Sequence, residues 1–171
     1  DKVYMPSFFL SGANALMDRK KLLSLSGFDA LFAPYYYEDA DLGIRAWRVG
    51  WKCYFEPGAI CYHTLSSTIG TLKRKKVDRV IERNKITFNR LHLQGIHLLS
   101  FNCWLWLRCF SKLLSGNNTI YKAIIYFDNE KLESAKKRLR ELQDKNNKRI
   151  SVLQVEKVIL KSLEPYRLRK F

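Results

Sequence analysis

The chain has 171 residues, with 31 Lys and Arg against 16 Asp and Glu for a net charge of +15; 47% of its residues are hydrophobic and 13% aromatic. This composition excludes a disordered chain and, at this length, favours one domain or one domain with an appendage. No run of 18 uncharged apolar residues occurs and no stretch reads as a secretory leader, so neither a spanning helix nor a secreted protein is expected.

The charge is unevenly placed. Residues 1–70 hold seven basic and seven acidic side chains, whereas residues 71–171 hold twenty-four basic and nine acidic, which is the whole excess. A composition break near residue 70 therefore divides the chain into 1–70 and 71–171. A field of one sign gathers counter-charged partners such as anionic lipid headgroups, nucleic acid or other acidic polymers. No helix-turn-helix, RNA-binding or zinc signature accompanies the charge, which argues against nucleic acid. Four cysteines at 53, 61, 103 and 109 are spaced by 8, 42 and 6 positions. That spacing matches neither a zinc ribbon nor a redox pair and predicts buried free thiols in a reducing compartment.

In chain order, Phe8 to Met17 predicts a buried strand interrupted at Ser11-Gly12, where a missing Cβ suits close approach by a ligand or another segment. Asp18 is placed to cap a short helix that Gly27 closes. After the tyrosines at 35, 36 and 37 come Glu38-Asp39-Ala40-Asp41, predicted to open a helix ending at Gly50; a helix N-terminus favours negative charge there. Residues 51–55 and 59–63 predict two strands joined at Pro57-Gly58. Beyond Gly70 the pattern is helical. A first helix carries Val77, Val80, Ile81, Ile86, Phe88 and Leu91 among charges, and a second, 96–115, has a narrow polar stripe at His97, Ser100, Arg108, Ser111 and Ser115. Gly116-Asn117-Asn118 breaks it and a short helix resumes. Asp128 or Asn129 then caps a charged helix with a thin seam at Leu132, Ala135, Leu139 and Leu142, and a last helix stops before Pro165.

The ordered string Ser11-Gly12-Ala13, Gly27-Phe28-Asp29, Glu38-Asp39-Ala40-Asp41-Leu42, Arg45, Gly50-Trp51, Glu56-Pro57 and Tyr62-His63 closely resembles the second half of the catalytic domain of bacterial family 2 glycosyltransferases of the GT-A fold. Ser67-Thr68-Ile69-Gly70 and Arg83-Asn84 resemble its continuation, so the likeness covers roughly residues 8–90. It implies an α/β fold: a partial GT-A domain lacking its N-terminal half, followed by a mostly α-helical extension. It also implies a nucleotide-sugar donor, a glycan or lipid-linked acceptor in polysaccharide biosynthesis, and a divalent metal, Mn or Mg.

Inverting sugar transfer needs a base for the acceptor hydroxyl, and Asp39 is the family-matched residue, with Glu38 orienting it or the acceptor. An acidic first turn that serves only as a cap is the plain alternative. Asp41 caps the helix or meets substrate. Gly12 and Ala13 are candidate substrate contacts on the interrupted strand, and Tyr37 and Trp51 are candidates for a wall under a sugar ring, unless they are core. Arg83 and Asn84 are candidates for the diphosphate, against a solvated helix face. His63 is the candidate metal ligand, against a hydrogen-bonded structural histidine. The resemblance also implies an upstream half with its own Asp-x-Asp site. The chain is accordingly expected to be the C-terminal part of a longer transferase, inactive alone.

Such family members often carry a basic helical tail at the inner face of the cell membrane, which here implies a cytoplasmic, peripheral location. The helix at 96–114 would be about 28 Å long, and Trp104, Trp106 and nearby Lys and Arg suit the headgroup boundary. His97, Asn102, Arg108 and Lys112 favour lying on a membrane over crossing it. Packing on the catalytic domain or in a homodimer is the alternative. A catalytically inactive membrane-surface or protein-binding module is the competing function.

Overall fold

The computed structural model describes residues 4–62 and 73–164. The composition break near residue 70 and His63 both lie outside the described residues. Two compact units are formed from interleaved stretches: one from Asp1–Asp29, Asp39–His63 and Arg138–Phe171, the other from Ala30–Glu38 and Thr64–Lys137.

The first unit contains the only sheet among the described residues, β1 (Met5–Pro6) paired antiparallel with β2 (Tyr54–Phe55), Met5 opposite Phe55. Helix α1 (Arg19–Ser24) starts where Asp18 accepts a hydrogen bond from the Lys21 N–H at 3.0 Å, as its position predicts. Helix α2 (Glu38–Arg48) opens on the acidic run and buries every residue from Asp41 to Arg48. It ends at Gly50, whose φ of +88° lies in the left-handed region that glycine enters without a Cβ penalty. Trp47 on α2 donates its indole N–H to the Ser7 carbonyl at 2.8 Å, tying the helix to the chain just after β1.

Two predicted strands are not formed. Residues 8–17 are turns and irregular backbone, with Leu16 fully exposed and Phe9 about half exposed. Residues 59–62 are likewise irregular. Apolar runs become strands only when a neighbour completes their backbone hydrogen bonds, and among the described residues neither run has one. The backbone of 8–10 instead lies directly on α2 at Gly43: a Cβ there would sit 2.7 Å from the Phe9 Cα and 3.0 Å from the Phe8 carbonyl oxygen.

The second half of α6 (Asn129–Lys145) and α7 (Val152–Leu163) complete this unit. The buried positions of α6 are Leu132, Ala135, Leu139 and Gln143; the predicted fourth seam residue, Leu142, is only half-buried. Gln143 takes the inner place because its amide donates to the carbonyls of Arg48, at 3.3 Å, and Ile150, at 3.1 Å, satisfying backbone that an apolar residue would leave unpaired. Helix α7 begins with a capping box between Ser151 and Gln154 and buries Val152, Val155 and Ile159.

The second unit is helical. Helices α3 (Arg74–His92), α4 (Gly95–Leu114) and α5 (Thr119–Ile125) enclose a core of Ile86, Leu105, Cys109, Ile120 and Ala123, flanked by Phe101, Ile124 and Phe127. Helix α4 contributes Phe101, Leu105 and Cys109, one side chain per turn, to this core. Among the described residues no helix is long and apolar enough to cross a membrane.

Only part of the cysteine expectation holds. Cys53 and Cys109 are buried free thiols, but Cys61 and Cys103 are exposed. Burial pushes the Cys53 thiol up to about 11. Native-state alkylation at neutral pH should label Cys61 and Cys103 rapidly and leave Cys53 and Cys109 unmodified until denaturant is added; mass mapping of the labelled peptides checks this. Gly43→Ala should destabilise the protein by about 1–3 kcal/mol in urea titrations, because the new methyl meets backbone rather than a yielding side chain. On helix propensity alone the same change would stabilise.

Candidate active site

The acidic run lies in the first turn of α2, the place where helical N–H groups without intrahelical partners attract negative charge. Asp39 is half-buried, and its Oδ1 accepts a hydrogen bond from the N–H of Ala40 at 2.7 Å. Gly12 stands beside it: a Cβ on Gly12 would lie in ordinary contact with the Asp39 Cβ, 4.0 Å away, and with the Phe28 ring at 3.9 Å. The Ser11-Gly12-Ala13 turn is thus a neighbour of this carboxylate, and Gly12 and Ala13 are both exposed.

Glu38 differs from Asp39 in its environment. Its Oε2 is buried and has no hydrogen-bond partner among the described residues, a condition it shares with the hydroxyl of Tyr35. A buried carboxylate oxygen without a donor is costly, and such atoms concentrate where a ligand supplies the missing partner.

Asp41 has a structural post. It is completely buried and accepts from the Arg45 Nε at 2.7 Å, one helical turn further on. The same guanidinium donates to the carbonyls of Leu25, at 2.6 Å, and Gly27, at 2.8 Å, which follow the last turn of α1. Arg45 therefore ties the end of α1 to the acidic helix, with Asp41 neutralising its charge. This arrangement leaves the Asp41 carboxylate inside the protein, where no substrate reaches it.

Asn84, on α3, is fully buried and its Nδ2 lies within hydrogen-bond distance of three carbonyls, Phe32 at 2.6 Å and Tyr35 and Tyr36 at 2.8 Å each. Arg83 donates to its Oδ1 and to the Ala33 carbonyl. The pair thus organises the tyrosine loop, in which Tyr36 and Tyr37 adopt φ of +70° and +75°. The left-handed region costs a bulky residue about 1–2 kcal/mol, and the hydrogen bonds to Asn84 hold the loop in it. Burial lowers the affinity of Arg83 for its proton, a tendency that Tyr35 opposes. Tyr37, directly before Glu38, packs its ring on Phe88 at 5.5 Å between centroids. Burial, and next the charge of Glu82, raise the pKa of its hydroxyl, while Arg108 lowers it.

Trp51 borders a different space. It lines an apolar cleft of about 250 Å³ in the first unit together with Leu16, Leu22, Leu42 and Cys53, and the Lys21 ammonium sits over its ring at 5.6 Å. Asp39 does not line that cleft. Trp51 and Asp39 are therefore not brought together around that cleft.

The predicted metal ligand His63 lies outside the described residues. Among those described, no three His, Cys, Asp or Glu side chains converge as a metal centre would need, so they do not form one by themselves. Sequence reasoning missed the part played by Arg45, which the motif spelled without a role. An arginine four residues after an aspartate on a helix is the signal that could have found it.

Asp41→Ala should destabilise by about 3–5 kcal/mol, because it leaves the Arg45 charge buried without its carboxylate. Adding Arg45→Leu should recover part of the loss, and chemical denaturation of the two variants checks the order. A model of the family described as Glycosyl transferase family group 2 matches residues 2–127. No curated protein and no solved structure matches the chain.

Proposed function

The chain belongs to Glycosyl transferase family group 2, and from that premise we propose that it carries the acceptor-activating part of an inverting transferase that uses a nucleoside diphosphate sugar. The observation that supports this most is the acidic pair opening α2. Asp39 is half-buried beside the exposed Gly12 turn, and Glu38 next to it holds a buried carboxylate oxygen with no donor among the described residues.

The chemistry assigned to these groups is as follows. The Asp39 carboxylate takes the proton of an acceptor hydroxyl as that oxygen forms its bond to the anomeric carbon. The bond from the anomeric carbon to the diphosphate oxygen breaks on the opposite face, and the nucleoside diphosphate leaves with the electron pair. Glu38 accepts a hydrogen bond from a second hydroxyl of the bound sugar or acceptor, which supplies its missing donor and orients the reacting one. Gly12, without a side chain, leaves room beside Asp39 for the acceptor. A divalent metal on the diphosphate would supply charge stabilisation for the leaving group.

The helical unit is assigned to peripheral contact with a membrane. Ile96, Leu99, Cys103, Trp106, Leu107, Phe110, Leu113 and Leu114 on α4 are all exposed. At 100° per residue they fill an arc of about 120° on the side away from Leu105 and Cys109. A face this apolar, on the chain's strongly basic part, is chemically suited to an anionic bilayer surface.

Asp39→Asn should lower turnover at least a hundredfold with donor KM little changed, and Glu38→Gln should raise acceptor KM with a smaller loss of kcat. Both are read from transfer of radiolabelled sugar by the native protein with a panel of nucleoside diphosphate sugars. Turnover unchanged in Asp39→Asn would remove that residue as the base.

A further inference from the structure

The loop that leads into Glu38 is held by one face of α3. Asn84 and Phe88 lie one turn apart on that helix and so share a face. Phe88 packs on the Tyr37 ring at 5.5 Å between centroids. Asn84 spends its amide hydrogens on three carbonyls, those of Phe32 at 2.6 Å and of Tyr35 and Tyr36 at 2.8 Å each. Its oxygen accepts from the Arg83 Nε at 3.1 Å and Nη2 at 2.9 Å, and the same guanidinium reaches the Ala33 carbonyl. Two neighbouring residues therefore satisfy the carbonyls of Phe32, Ala33, Tyr35 and Tyr36, nearly the whole stretch before Tyr37.

Nothing of Asn84 is left for a ligand. The side chain is fully buried, its two N–H donors are shared among three acceptors, and its oxygen already serves a guanidinium. Its place is also fixed from behind. Two residues before it, Glu82 makes a two-pronged pair with Arg108 of α4 at 2.7 and 2.8 Å, and two residues after it Ile86 sits in the core of the helical unit. A post this rigid dictates the path of the chain it holds.

That chain is strained and ends at a functional carboxylate. Tyr36 and Tyr37 have φ of +70° and +75°, a conformation that bulky residues keep only where their surroundings over-determine it. Without the Asn84 amide, the carbonyls of Tyr35 and Tyr36 would turn to water and both tyrosines would relax to negative φ. That rotation would redirect the next residue, Glu38, whose Oε2 is buried with no donor among the described residues.

We propose that Asn84 is a positioning residue for sugar transfer: it holds the loop of residues 32–37 in the strained path that keeps the Glu38 oxygen where a substrate hydroxyl meets it. This rests on the hydroxyl-orienting role proposed for Glu38. It assigns Asn84, and Arg83 through it, to the acceptor side of the reaction rather than to the diphosphate.

The test measures transfer by the full chain with radiolabelled nucleoside diphosphate sugars as donors and methyl glycosides as acceptors. Asn84→Ala should raise acceptor KM about tenfold and leave donor KM within about twofold. Because the loss runs through Glu38, Asn84→Ala/Glu38→Gln should differ from Glu38→Gln alone by less than about twofold. Ile86→Val, a core change on the same helix, should leave acceptor KM within about twofold. Chymotrypsin should cut Asn84→Ala at the three tyrosines about tenfold faster than it cuts the unaltered chain or Ile86→Val. Where circular dichroism shows Asn84→Ala unfolded at the assay temperature, Arg83→Gln, a partly exposed position, carries the comparison with a rise in acceptor KM of about threefold. Independent, multiplying losses in the double variant would make Asn84 a merely structural residue and overturn the inference. A raised donor KM in Asn84→Ala or Arg83→Gln would place the pair on the diphosphate and overturn it equally. If Glu38→Gln itself leaves acceptor KM unchanged, the role proposed for Glu38 fails and the inference falls with it; if Glu38→Gln raises it and Asn84→Ala does not, the inference alone fails. No transfer from any donor would defeat both.

Discussion

The buried Arg45 guanidinium is the constraint on which the first unit depends. One planar group with five donors meets the Asp41 carboxylate and two backbone carbonyls that follow α1, at 2.6 to 2.8 Å. Lysine could not do this, since a single ammonium lacks the forked geometry. The carboxylate partner is what makes the burial tolerable, because an isolated charge in that position would carry the full desolvation penalty. Gly43, between Asp41 and Arg45, lets the backbone of residues 8–10 lie against the same helix. The helix that begins with Glu38 and Asp39 is thus held by a charge clamp and by backbone contact at its middle.

In the second unit the equivalent device is neutral. The Asn84 amide reaches the carbonyls of Phe32, Tyr35 and Tyr36, and Arg83 completes the set by holding the amide oxygen and the Ala33 carbonyl. Buried backbone must be satisfied somewhere, and here one side chain satisfies the irregular segment leading into Glu38. The left-handed Tyr36 and Tyr37 are where the strain of that segment collects, directly before the Glu38 oxygen that has no partner among the described residues. Strained backbone and an unsatisfied carboxylate in consecutive residues are the kind of local conflict that folds retain at functional sites.

Helix α4 shows how one helix can carry two apolar faces. Its inner residues, Phe101, Leu105 and Cys109, join the core with Ile86 and Ile120, and its outer residues from Ile96 to Leu114 meet solvent. Lys85 and Arg108 lie over the Trp104 ring at 5.0 and 5.2 Å, so the one large aromatic within the polar stripe is covered by cations. Charge and hydrophobicity are separated around the helix rather than along it.

Much of this was legible in the sequence. Asp18 as a cap, the acidic start of α2, the glycine after it, the breaks at Gly116 and Asn146-Asn147 and the run of helices after residue 73 all follow from local rules, because a cap or a breaker acts on its own neighbours through backbone geometry. The ordered motif identified the family for the same reason: its spelling is a linear property. Only the tertiary structure decided that the apolar runs at 8–17 and 59–62 are not strands, since a strand exists through its partner and no local signal supplies one. It also decided that Gln143 rather than Leu142 faces inward, that Arg45 and Asn84 spend their donors on distant carbonyls, and that the end of α6 and α7 belong with the unit containing α2. Each of these is a contact between residues far apart in the chain. Such contacts are chosen by which buried polar groups must be paired once the pieces have met, and composition and periodicity carry no record of it.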